Sequence, residues 1–135
     1  MISLTYVSTA DPSLTSEHLL ELLRSWRPVN ASHDLTGMLL YSEGNVIQTL
    51  EGPEDSVDTM YDTIAADGRH HGVIVLHREE VAERAFPDWS MGFGRYDQAA
   101  GIDVDGVNGF LRESTEDPQS GSALRLLEIF RSTMR

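Results

Sequence analysis

The sequence predicts an α+β domain, with elements in the order β-α-β-β-α-β, then a short fifth strand and a helical tail. Three observations point there. Short runs rich in β-branched and aromatic residues, several alternating with period two, recur along the first hundred residues. Two intervening segments instead carry apolar residues at three- and four-residue spacing. Clusters containing Gly, Pro, Asn or Asp separate the segments.

The first strand runs from Ile2 to Ser8, with Leu4, Tyr6 and Ser8 on one face and Thr5 and Val7 on the other. "TADPSLTSE" breaks it. Thr15 or Ser16 caps a helix over "EHLLELLRSW", whose stripe is Leu19, Leu20, Leu22, Leu23 and Trp26. Pro28 is expected to end it. "NASHD" reads as a polar turn, "LTGMLLYS" as the second strand, "EGN" as a hairpin turn and "VIQTLEG" as the third strand. Pro53 opens a second helix whose inner face is Val57, Met60, Tyr61 and Ile64, with Gly68 as its expected stop. "GVIVLHREEV" is the fourth strand, "AERAFPDW" a loop and "SMGFGRY" a short fifth strand. This order is that of a ferredoxin-like, split β-α-β domain: a mixed sheet with both helices on one face.

The texture changes at Asp97. "DQAAGIDVDG" is acidic and Gly-containing, "RESTEDPQSGS" is linker-like, and "ALRLLEIFRSTM" forms an amphipathic helix with Leu124, Leu127 and Phe130 in its stripe. The expected division is therefore a domain over residues 1–96 and a C-terminal extension over 97–135.

Composition narrows the function. A chain of 135 residues can bury one core. With no cysteine, disulfide and thiolate chemistry are excluded, and a cytoplasmic location fits. A formal charge of -12 disfavours nucleic acid as a direct partner. No signal peptide is seen, and no apolar run approaches the roughly 20 residues of a membrane span. "RHH" at 69–71 and His77 do not form a metal set, because adjacent side chains diverge and no carboxylate cluster joins them. Ser8, Asp11 and His18 form only a nominal triad, without a nucleophile elbow. "GFGR" lacks the Lys-Ser/Thr of a phosphate loop. Trp26 reads as a core or edge residue.

Gln48 is the residue that stands out. It shares a strand face with Val46 and Leu50, which favours a buried amide over one facing solvent. A buried amide left unpaired costs about 1–3 kcal/mol, so it needs partners. Tyr6, midway along the first strand, is the candidate, although a strand tyrosine can also be plain packing. Asn30 taken alone reads as a turn residue.

Taken together, "LTYVS", "NASHDLTGMLLYS", "VIQTLEG", "DGRHHGV" and "ERAFPDWSMGF" resemble the BLUF domains, sensors of blue light that use FAD, across about residues 1–96. The resemblance implies that Tyr6 gives an electron and proton to the excited flavin. It implies that Gln48 bridges the phenol and the ring's N5/O4 edge, and that Asn30 bonds the ring's carbonyl and N–H edge. Arg69 and His70 fall near the ribose and phosphates. Trp89 and Met91 match the fifth-strand pair whose positions follow the light state. Thr63 stands where the family often has a basic side chain, which leaves Arg69, with Arg24 or Arg27, for the phosphates; FMN or riboflavin could substitute for FAD. Val29 is more apolar than the family's usual residue there.

The implied function is reversible photosensing without turnover of an external substrate. No output domain is expected after residue 96, so a separate downstream protein or the oligomer receives the signal. The last helix is the expected relay, against the sheet face away from the flavin or against a second copy, and a homo-oligomer is expected. The rival readings are a flavin-free ferredoxin-like interaction module and, last, a small flavin reductase.

Overall fold

The structure, a computed structural model, describes residues 1–87, 91–97 and 101–105. One six-stranded sheet carries two helices. The strands are β1 (Ile2–Ala10), β2 (Thr36–Ser42), β3 (Asn45–Gly52), β4 (His70–Glu80), β5 (Gly92–Asp97) and β6 (Gly101–Asp105), and the helices are α1 (Ser16–Ser32) and α2 (Glu54–Ala65). The strand order is β4-β1-β3-β2-β5-β6. The first four strands pair antiparallel in the ferredoxin-like order, and β5 joins β2 in parallel, which makes the sheet mixed.

Local chemistry explains most boundaries. Thr15 caps α1, its hydroxyl accepting from the His18 N–H. The β2–β3 hairpin turns on two residues, Glu43 (φ 47°) and Gly44 (φ 85°), between the paired Ser42 and Asn45. Positive φ at both positions matches the twist of the flanking strands. Gly37 admits no side chain: an added Cβ would lie 1.9 Å from the Thr49 carbonyl oxygen and 3.3 Å from the Met91 ε-methyl.

Three expectations change. Pro28 does not end α1, which runs on to Ser32 with Pro28 inside it. Beyond it Asn30 is buried, and its carbonyl accepts from the N–H groups of His33 and Leu35, local bonds that finish the helix. Part of the expected turn is thus helix. Gly68 is not the stop of α2; the helix ends at Ala65, with Ala66 as its cap. Residues 101–105, read as part of an acidic tail, form β6 against β5. The predicted final helix lies outside the described residues.

The core lies between the helices and one sheet face. Leu4, Tyr6, Leu39, Val46 and Leu50 from the sheet pack with Leu19 and Leu23 of α1 and Val57 and Ile64 of α2. Met60 and Tyr61, expected to be buried, are only half-covered but pack on that core. On the opposite face, Glu51 is buried and ties down the segment leading to β5. Its carboxylate accepts from the N–H groups of Ala85 (2.9 Å) and Phe86 (2.6 Å) and from the Thr36 hydroxyl (2.9 Å). Arg84 closes the cluster through Thr36 Oγ1 and the carbonyls of Glu51 and Asp34. A buried acceptor of three hydrogen bonds is stable where a lone carboxylate would not be.

Replacing Gly37 by alanine should destabilise the domain by about 2 kcal/mol or more, since it combines a clash with backbone at an unfavourable φ. Urea unfolding measures this. A loss below about 0.5 kcal/mol would show that the sheet can open there at little cost.

Candidate functional site

The register of β1 on β3 builds the site. Tyr6 stands directly opposite Gln48, with both side chains on the helix-covered face. Tyr6 Oη donates to Gln48 Oε1, and Gln48 Nε2 donates to Met91 Sδ at 3.2 Å. All three residues are buried. The partners fix the sense of the amide. A thioether sulfur can only accept, so the NH2 must face Met91, while the phenol has a proton to give to the C=O. An amide turned over would set Oε1 against Sδ, two lone-pair groups with no proton between them.

Met91 is held from three sides. Arg27 of α1 donates from Nε to the Met91 carbonyl at 2.9 Å, Gln48 holds the sulfur, and the ε-methyl fills the space over Gly37. The guanidinium bond is charge-assisted, worth about 1.5–3 kcal/mol against roughly 1 kcal/mol for a neutral bond, so the sulfur contact is the one that yields first.

Beside this row lies a cavity of about 60 Å³ that opens to the surface. Its floor includes Tyr6, Ser8, Leu39, Val46 and Gln48 of the sheet. One wall is Leu19, Leu22, Leu23 and Trp26 of α1, and Ile64 of α2 faces it. Asp67, Arg69 and His70 stand at its edge. A larger groove of about 560 Å³ opens between the helices, lined by Trp26, Val29, Met60 and Thr63 among others. Trp26 borders both spaces, with the Arg69 guanidinium 5.9 Å from its ring centroid.

The lining suits a flat ring that is apolar on its faces and polar along one edge. Most contacts are aliphatic or aromatic, with the Tyr6–Gln48 pair as a polar element of the floor. Ser8 Oγ is buried there with no hydrogen-bond partner. Such an orphan costs about 1–3 kcal/mol, which a ligand with a polar edge would relieve.

Electrostatics separate floor from rim. Burial, and secondarily the neighbouring Tyr61, push the Tyr6 phenol well above its ordinary range, so it is a neutral donor at physiological pH. The Tyr61 ring lies 5.9 Å away edge-on, and the His70 ring 6.4 Å away. At the rim the side-chain hydrogen bond from Arg69 holds the Asp67 carboxyl down to about 2. His70 bonds the Ile64 carbonyl through Nε2 at 2.5 Å.

The structure thus brings together Tyr6, Gln48 and Met91, and places Arg69 and His70 at the cavity edge. Asn30 is buried on α1 but does not line that cavity. Trp89 lies outside the described residues. Arg27, one of the cations expected near the phosphates, bonds the Met91 carbonyl through Nε. Thr63 bonds back to its own helix at the Thr59 carbonyl. Trp26, read as core or edge, is a cavity wall. Its place on the α1 stripe carried that signal, since the stripe faces the space between helix and sheet. The nominal triad does not assemble: Asp11 accepts from Ser13, and His18 is exposed.

Fold and cavity together define a ferredoxin-like α+β domain with an apolar cavity between one sheet face and its helices. A family model described as BLUF, sensors of blue-light using FAD, matches residues 1–92. The chain belongs to the BLUF family and is a blue-light sensor that uses FAD. It is 37% identical over 92 residues to the β subunit of photoactivated adenylate cyclase from Euglena longa. It is 36% identical over 86 residues to the α subunit from Euglena gracilis. These matches cover 67% and 64% of this chain but only 11% and 8% of the relatives, so the chain spans about a tenth of their length. The dark-state structure of BlrB, a BLUF protein, superposes with a TM-score of 0.67 at 29% identity, covering 97% of this chain and 96% of that one. BlrP1 from Klebsiella pneumoniae, solved with FMN and cyclic diGMP, gives 0.71 at 28% identity over 96% of this chain and 34% of that one.

The Tyr6 environment predicts an alkaline transition. A raised folded-state pKa contributes stability that is intact below the unfolded value of about 10 and lost as pH rises past it. In a spectroscopic titration of the flavin-free protein, one of the four tyrosines should resist ionisation until the fold opens, and Tyr6→Phe should remove that component. Ionisation of all four in the still-folded protein would contradict the burial.

Proposed function

We propose that the row Tyr6–Gln48–Met91 carries the light response, with Tyr6, Asn30, Gln48, Arg69, His70 and Met91 contacting the chromophore and Trp89 completing the photoactive set. The observation that supports it most is the phenol–amide–thioether chain of hydrogen bonds, whose first two members lie on the floor of an apolar cavity.

When bound, the flavin supplies the blue-light absorption and an excited state able to take up an electron and a proton. Tyr6 holds one transferable proton at Oη against Gln48 Oε1. Departure and return of that proton frees the amide from its contact with the Tyr6 phenol. Gln48 can then rotate or tautomerise. Either change alters which of its atoms donates to its neighbours and weakens the bond to Met91 Sδ. The apolar walls formed by Leu19, Leu23, Leu39 and Val46 keep competing water away, so the rearranged bond pattern persists. Arg69 at the rim is the cation best placed for a phosphate, in exchange with Asp67.

In this reading residues 1–96 are the photosensor and 97–135 the extension that relays its state, although the sheet itself continues to Asp105. The signal passes to a separate effector protein and no external substrate is turned over. Support comes from the relatives, in which the matching segment is a small part of a larger protein named for a cyclase activity. We further place the chain in a homo-oligomer. Ile74, Val75 and Leu76 are exposed on the edge strand β4, an apolar surface of the kind that pairs with a second copy. Among the described residues no helix is long and apolar enough to cross a membrane.

The purified protein should be yellow, shift its absorption to the red under blue light and recover in darkness. Tyr6→Phe and Gln48→Leu should each keep the colour and lose the normal shift; wild-type photocycling in either variant would overturn the assigned roles. Colour without a shift in the wild type would point to a flavin reductase, and a colourless protein to the bare interaction module. Light scattering should give a mass above that of one chain; a monomer at every concentration would remove the oligomer.

A further inference from the structure

We propose that Arg27 is a positioning residue that keeps Met91 seated against Gln48, so that it sets how far the start of β5 moves when the amide rearranges. This rests on the photosensory reading above and extends it to a residue outside the cavity.

Arg27 is part-buried on α1, beside Trp26 in sequence, and its Nε bonds the Met91 carbonyl at 2.9 Å. Met91 immediately precedes β5, whose first residue, Gly92, pairs with Met38 of β2. Upstream, the N–H groups of Ala85 and Phe86 are fixed by Glu51, three residues beyond Gln48 on the same strand. The chain between Phe86 and Met91 is therefore tied at both ends, once to β3 and once to α1. Among the described residues of this segment, Gln48 bonds the Met91 sulfur. With Arg27 in place the main chain cannot follow a change there, and the side-chain torsions of Met91 absorb it. Without Arg27 the entry to β5 is free to move with the side chain, and the parallel ladder to β2 carries the displacement outward. A charge-assisted bond to the main chain thus divides the response between a local rotamer change and a strand shift.

The test is nuclear magnetic resonance on protein carrying 13C-methyl methionine, with the Met91 line identified by its loss in Met91→Leu. Arg27→Met removes the donor at nearly constant length. In darkness it should shift or broaden the Met91 line and alter the dark-recovery rate by about tenfold, the factor that loss of one charge-assisted bond commonly brings. Flavin loading should be unchanged. Arg27→Lys, which keeps a cationic donor, should restore part of both effects. A Met91 line at its wild-type position, with recovery within about twofold of wild type, would overturn the proposal. Should Arg27→Met fail to fold, the unmodified protein carries its own test. A scalar coupling across the hydrogen bond between Arg27 Nε and the Met91 carbonyl carbon supports the clamp, and its absence overturns it. A colourless wild-type protein would defeat the photosensory reading, while the Met91 line of that same protein would still decide whether Arg27 holds the residue.

Discussion

The structure depends on a polar pair enclosed in an apolar layer. Tyr6 and Gln48 face each other across β1 and β3, each satisfying the other where water cannot. Neither could be buried alone without leaving a donor or acceptor unpaired. Because the amide has two ends, one partner is not enough, and the second comes from Met91 at the entry to β5. That requirement draws β5 to the edge of β2 and demands the empty space at Gly37.

In the photosensory reading proposed above, the pair is also a switch element. A fully satisfied buried network is rigid, and changing the protonation of one member upsets every bond in the row. Two arrangements of an amide, differing in which end meets which neighbour, form the kind of discrete alternative that can carry a signal. Around it the fold supplies asymmetry: the Glu51 cluster and the Arg27 bond hold the backbone on either side of the segment leading to Met91, while the sulfur contact is weak. Disturbance is channelled toward the weakest link.

Much of the site was legible because strand periodicity is strict. The alternation Val46, Gln48, Leu50 favoured a buried amide, and Leu4, Tyr6, Ser8 put the phenol on one face of its strand. The hairpin glycine and the Thr15 cap were likewise local features with local causes. The misreadings have a common origin. Pro28 signals a helix end by local sterics, but burial of Asn30 beyond it carries α1 a further turn. Gly68 looked like a stop, yet α2 had already ended at Ala65. The acidic composition of 101–105 hid a strand, since β6 depends on its partner more than on its residues.

By itself, then, the chain determined the element order and which side chains share a strand face, because backbone periodicity converts spacing directly into direction, while the resemblance singled out the phenol and the amide. Only the tertiary structure decided that Tyr6 and Gln48 are register partners, that Met91 takes the second end of the amide, that Trp26 walls the cavity and that Arg27 bonds the Met91 carbonyl. Those facts are contacts between residues 42 to 64 positions apart, and no local rule of spacing or propensity fixes which long-range neighbours meet when a sheet closes over its helices.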